Sequence, residues 1–214
     1  MILKTLLVAL SLLVAPVQTT TTSVLPPATE ETKIVYVDMV ADLFHAGHEN
    51  FLQQAIVCGE EEFSGKKIKL IVGLVSDEDA APYKRRPIMT LAERVRAVSF
   101  SKIGPFDDII EGSPIDGIPS EFIEEHKIDL VVHGDDYTDE QVEKYYGAVR
   151  EIFRTVPYTK GVSTSEIIAN VKNHIADGTS LDEELIGKIN FTDSFTREML
   201  VERVRERSFP DSDS

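Results

Sequence analysis

Residues 35–48 read Val35-Tyr36-Val37-Asp38-Met39-Val40-Ala41-Asp42-Leu43-Phe44-His45-Ala46-Gly47-His48. The stretch opens on an apolar, β-branched run of the kind buried on both faces of a parallel sheet. It closes on a short turn with two histidines around a glycine. Glu49 to Gly59 then carries Phe51, Leu52, Ala55 and Ile56 at helical spacing. A strand that turns directly into a helix leaves unpaired backbone N–H groups at the helix start, where the helix dipole also favours anions. His45 and His48 stand at that mouth, two imidazole donors suited to a ligand with several phosphates.

The alternation of strand and helix continues down the chain. Lys67 to Val75 is a second buried strand, and Ser76 to Met89 is a polar, basic, proline-containing loop. Thr90 and Glu93 form a capping box that opens a helix with Leu91, Val95 and Val98 on one face. Phe106 to Ile110 is a short third strand and Ser120 to His126 a short helix. Leu130 to Val132 is a fourth strand ending at His133-Gly134-Asp135-Asp136. A helix over Glu140 to Phe153, a short strand over Thr155 to Tyr158 and a helix over Ser165 to His174 complete the pattern. Strands separated by helices require parallel crossovers, so the expected fold is α/β: a doubly wound, Rossmann-like parallel sheet with helices on both faces. Ligands of such sheets bind beyond the carboxyl ends of the strands. His45–His48, Asp77–Arg86 and His133–Asp136 all follow strands.

Three parts are expected along the chain. Residues 1–31 comprise an apolar segment, Met1 to Val17 with the single cation Lys4, and a linker rich in threonine and proline. The segment reads as a cleaved leader or a membrane anchor, somewhat short for a span of ~20 residues. Residues 32–176 form the α/β domain. Residues 177–214 form a helical C-terminal appendage, with helices over Leu181 to Ile189 and from Ser194 to about Arg207, available for packing or dimer contact. The expected location is accordingly membrane-associated or cytoplasmic.

At 214 residues and 42% hydrophobic content the chain can bury one good core. A formal net charge of −15 argues against a nucleic-acid surface, which needs a basic face. Phosphate binding is still open to an acidic protein whose cations are concentrated, as in Lys84-Arg85-Arg86. The single cysteine, Cys58, excludes an internal disulfide and a cysteine-based zinc site. His45 and His48 have a chelating spacing, but no third ligand accompanies them, so no protein metal cage is expected.

Three segments combine into a constellation: His45-Ala46-Gly47-His48, then Tyr83-Lys84-Arg85-Arg86-Pro87-Ile88-Met89-Thr90, then Gly161-Val162-Ser163-Thr164-Ser165. In this order they resemble the cytidylyltransferases of the HxGH nucleotidyltransferase superfamily, with its late G-[IV]-S-T-[ST] motif. The resemblance runs from Lys33 to about Val171. Asp38 and Asp42 before the histidines, and Val132-His133-Gly134-Asp135-Asp136, are most similar to the ethanolamine-phosphate and choline-phosphate branch. The glycerol-3-phosphate enzymes share the Gly-Asp-Asp. Three positions depart from the family pattern. Met39 stands where it usually has glycine, Ala41 where it has an aromatic residue, and Tyr158 where it has a late arginine, for which Lys160 or Arg154 could substitute.

The resemblance implies attack by a phosphomonoester oxygen on the α-phosphorus of CTP, with release of pyrophosphate. It assigns His45, His48 and Lys84 to catalysis, and Asp42, Gly47, Gly161, Ser163 and Thr164 to the nucleotide. Lys102 goes to the substrate phosphate, and Asp135 and Asp136 to the ribose or the amine head group. Mg2+ carried by the phosphates and a homodimer are further implications. The residues alone leave readings open. Asp135-Asp136 could be a helix-capping turn, Lys102 a solvated helix-end lysine, and ATP the nucleotide in place of CTP. A degenerate nucleotide-binding or interaction module is the reading from another class, favoured by Met39 and the missing arginine.

Overall fold

In the computed structural model, residues 31–82, 85–101, 108–177 and 197–208 are described. The central strand β1 (Thr32–Met39) is flanked by β2 (Lys67–Leu74) and β4 (Leu130–Gly134). The edges are β3 (Asp108–Glu111) and β5 (Phe153–Val156). The order is β3-β2-β1-β4-β5, every pairing is parallel, and Val35 sits opposite both Leu70 and Leu130. This is the doubly wound α/β arrangement expected, and the strand order reverses between β1 and β4.

Alternate residues of the central strands feed two cores. Val35, Val37, Val72, Leu130 and Val132 pack on one face with α1 (Ala46–Glu62), α3 (Leu91–Ser99), α6 (Thr164–Asp177) and α7 (Arg197–Ser208). Tyr36, Ile71 and Val131 pack on the other with α4 (Ser120–His126), α5 (Asp139–Tyr146) and the 3-10 turn Gly147–Ile152. A short helix, α2 (Asp77–Ala80), interrupts the loop after β2. Burial on both faces is why these strands read as continuous apolar runs.

Several boundaries differ from the sequence expectation. α1 begins at Ala46, with His45 as its N-cap, so both histidines belong to the helix start. The helix expected over Glu140–Phe153 stops at Tyr146 and tightens to 3-10 where Val149 leaves helical geometry. Phe153 therefore opens β5, which runs two residues ahead of the expected strand. Of the appendage, the first expected helix lies outside the described residues. The second is α7, whose Leu200 and Val204 are fully buried in the core shared with α6. No helix among the described residues is long and apolar enough to cross a membrane.

Candidate active site

A pocket of about 470 Å³ opens at the carboxyl ends of β1 and β4, the switch point of the sheet. Its floor is the turn from β1 into α1. Ala41 and Leu43 hold left-handed φ angles of 55° and 48°, a conformation that costs side-chain-bearing residues about 1–3 kcal/mol each. Several contacts hold the turn in that shape. Arg94 Nη1 donates to the Val40 carbonyl at 2.6 Å, and Thr164 Oγ1 to the Asp42 carbonyl at 2.9 Å. The buried Asp42 carboxylate accepts from Ile88 N and Met89 N, each at 2.9 Å, and from Arg85 Nη1 at 2.8 Å.

His45 follows directly. It caps α1 in extended conformation, and its Nδ1 accepts from Gly47 N at 3.1 Å. His48 Nδ1 accepts from His45 N at 3.2 Å, closing a capping box built of two imidazoles. A backbone N–H can only donate, so each Nδ1 is an acceptor and each neutral ring carries its proton on Nε2. The rings stack with centroids 3.9 Å apart. Burial lowers the His45 pKa to about 4, outweighing the opposing pull of Asp42 and Glu166. His45 is thus a neutral Nε2–H donor at pH 7. A Cβ on Gly47 would stand 2.9 Å from His45 Cε1, so any side chain at that position would displace the ring.

The opposite wall comes from the start of α6. Gly161 takes φ 85°, which glycine adopts freely, and turns the chain into the helix. Ser163 Oγ accepts from Glu166 N at 3.2 Å as the cap, and Ser163 and Thr164 line the pocket. Two helix N-termini, α1 and α6, therefore face one cavity, and Arg85 is the one arginine or lysine among the described residues that line it. Such an arrangement suits a polyanion.

A third wall has the opposite character. Asp38 at the end of β1 accepts from Tyr146 Oη at 3.0 and 3.2 Å. Burial first, and then Asp38, push the Tyr146 phenol far above its ordinary pKa, so it stays a donor. His133 lies 4.2 Å from Tyr137, 5.4 Å from Tyr146 and 6.4 Å from Phe51, ring centre to ring centre. Asp38, Phe51, His133 and Tyr137 all line the pocket. A carboxylate beside several aromatic faces is the environment that attracts a cationic group.

The expected site residues are distributed unevenly. Asp42, His45, Gly47, His48, Asp136, Ser163 and Thr164 all line the pocket. Lys84 and Lys102 lie outside the described residues. Gly161 and Asp135 do not line it: Gly161 shapes the turn, and Asp135 Oδ1 accepts from Tyr158 N at 2.8 Å. Asp42, assigned to the nucleotide by the resemblance, lines the pocket and also clasps the 85–89 segment. Neither substitute for the late arginine lines the pocket, and Arg154 pairs with Glu62 at 2.7 Å. Tyr158 itself does line it, as does Met39. Sequence reasoning passed over Tyr137, Tyr146 and Phe51: Phe51 and Tyr146 read as ordinary core positions of helices, and Tyr137 stands just before the Thr138 cap of α5. Among the described residues no group of three or more His, Cys, Asp or Glu side chains could hold a metal ion.

Comparison with known proteins gives the arrangement a family. Residues 39–170 match the cytidylyltransferase-like family model. An ethanolamine-phosphate cytidylyltransferase of Dictyostelium discoideum is 31% identical over 163 residues, covering 73% of this chain and 42% of that protein. A probable choline-phosphate cytidylyltransferase of Schizosaccharomyces pombe is 37% identical over 140 residues, covering 64% and 36%. The chain thus spans less than half the length of these curated relatives. Among solved structures, a lipopolysaccharide core biosynthesis protein from Thermoplasma volcanium overlaps with a TM-score of 0.45 at 21% identity, covering 61% of this chain and 98% of that one. On the match of its central 132 residues, HxGH turn and late Ser-Thr turn included, this chain belongs to the cytidylyltransferase-like family.

Proposed function

We propose that this chain transfers the cytidylyl group of CTP to a cationic phosphomonoester, phosphoethanolamine or phosphocholine, and releases pyrophosphate. One observation carries the reading: a single pocket joins two helix N-termini, fit for a triphosphate, to an acidic and aromatic wall, fit for an amine or quaternary ammonium. The names of the similar proteins, ethanolamine-phosphate and choline-phosphate cytidylyltransferases, agree with both halves.

In this mechanism a phosphomonoester oxygen attacks the α-phosphorus, and the bond from that phosphorus to the pyrophosphate oxygen breaks. Nothing becomes covalently attached to the protein. Catalysis then rests on holding two anions in line and stabilising charge on the transferred and departing groups. His45 and His48 donate their Nε2–H groups to the triphosphate, with the α1 N-terminus behind them. Ser163, Thr164 and the α6 N-terminus take the terminal phosphates. Arg85 supplies positive charge, joined by Lys84 and Lys102 as the family resemblance implies. Asp38, Tyr137 and His133 receive the amine. Mg2+ would be carried by the phosphates and lower their mutual repulsion; among the described residues no carboxylates form a cage of their own.

The test is incubation of radiolabelled CTP or ATP with phosphoethanolamine, phosphocholine and glycerol 3-phosphate. CTP with an amine-bearing phosphomonoester is the expected pair. Pyrophosphate release only with glycerol 3-phosphate, or with no pair, sinks the proposal. The same reading includes a homodimer and association of residues 1–17 with a membrane. Light scattering and flotation with vesicles test these directly.

A further inference from the structure

The segment that carries Arg85 into the pocket is gripped from two sides. On the pocket side, Asp42 holds Arg85 and the amides of Ile88 and Met89. On the outer side stands α7. Its Leu200 and Val204 are fully buried, which fixes the helix on the core and presents Arg203 to the start of α3. Arg203 reaches the two Glu93 carboxylate oxygens at 2.5 and 3.0 Å and the Ile88 carbonyl at 3.3 Å. Glu93 in turn accepts from Thr90 N at 2.8 Å and Thr90 Oγ1 at 2.9 Å, closing the capping box of α3.

A two-pronged guanidinium–carboxylate pair constrains direction as well as distance. Here both partners are largely withdrawn from water, at 19% and 10% side-chain exposure, so solvent screens the pair little. The two clamps meet at one residue. Asp42 takes the Ile88 N–H and Arg203 takes the Ile88 carbonyl. A peptide segment held at both polar groups of the same residue has little freedom left.

We propose that Arg203 is a positioning residue for the nucleotide half of the site: through Glu93 and Ile88 it sets the 85–93 segment against Asp42 and so fixes where Arg85 meets the triphosphate. This rests on the function proposed above. It predicts that a residue of the C-terminal helix governs affinity for the nucleotide and leaves affinity for the second substrate untouched.

The experiment compares the full wild-type chain with Arg203→Met and Arg203→Lys. It reads hydrogen exchange at the Ile88 and Met89 amides and the KM for CTP and for phosphoethanolamine. Arg203→Met should speed exchange at both amides by about tenfold or more, with the amides of β4 unchanged. It should also raise the KM for CTP by roughly tenfold while that for phosphoethanolamine stays within about twofold. Arg203→Lys keeps the charge but not the fork, and should fall between. If Arg203→Met does not fold, Arg203→Lys and Glu93→Gln carry the same readouts. Unchanged exchange at Ile88 and Met89, or equal rises in both KM values, overturns the proposal. A wild type without transfer from CTP overturns the proposed function only, because the exchange readout needs no reaction.

Discussion

The backbone N–H of His45 donates to Nδ1 of His48 across 3.2 Å, and that bond leaves the ring proton of His48 on Nε2. The companion bond from Gly47 N does the same for His45. An anion site made this way needs no imidazolium. The protein holds two neutral N–H donors at a helix start, oriented by the helix's own unpaired amides.

Removing one donor should therefore cost catalysis more than folding. His48→Ala is expected to lower kcat by about 10²-fold or more, with a shift in thermal midpoint of only a few degrees. His48→Gln supplies both an acceptor for His45 N and an N–H donor, and should recover part of the loss. Steady-state kinetics beside a melting curve separate the two effects. A kcat for His48→Ala equal to wild type would discard the role.

The depressed pKa of His45 makes stability depend on pH. In the unfolded chain this group protonates near 6.5, and in the folded protein near 4. Between those values the unfolded state binds more protons, so stability falls as pH falls from about 6.5 towards 4. The contribution is on the order of 2 kcal/mol, fully present above pH 6.5. His45→Asn keeps a good N-cap and lacks the titration. Urea unfolding across pH 4–7 should give a shallower slope for this variant than for wild type, and parallel slopes would refute the assignment.

Asp42→Ala should weaken the fold itself. It leaves the Ile88 and Met89 amides without an acceptor and releases Arg85, next to two residues already held at positive φ. A loss of about 2–4 kcal/mol is expected, mainly from the unsatisfied amides and the freed strained turn. Equilibrium denaturation measures it. Asp42→Asn retains one acceptor and should lose about half as much.

Asp38→Asn tests the acidic wall. The amide oxygen can still accept from Tyr146 Oη, so packing is preserved while the charge is lost. The KM for phosphoethanolamine should rise about 5–30-fold and that for CTP should not change. Equal effects on both substrates would place the amine elsewhere.

How far the site could be read in advance depends on how far apart its partners are in sequence. The His45–His48 box, the Thr90–Glu93 box and the Ser163 cap each join residues two to three apart, and each was legible as a motif. The grip of Asp42 on the 85–89 segment was not legible, because its partners lie 43 to 47 residues away in a loop that carries no periodic signal. The aromatic wall was missed for a similar reason. Asp38 and Tyr146 are 108 residues apart, Tyr146 looks like a core position of an amphipathic helix, and Tyr137 stands just before the Thr138 cap. The boundary at Val149 also escaped, because a helix that tightens into 3-10 changes hydrogen bonding without changing apolar spacing.

By itself the sequence determined the alternation of buried strands and amphipathic helices, the caps at which helices start, and the order of the His45–His48 and Gly161–Ser165 turns. Those features depend on side chains within a turn or two of each other, where propensity and local hydrogen bonding decide. Only the tertiary structure decided that β4 lies beside β1, so that the pocket opens between Asp38 and His133. It also decided that Asp42 and Arg203 hold one segment from opposite sides. Strand order and long-range clamps arise from which apolar faces cover one another, and burial has no direction along the chain.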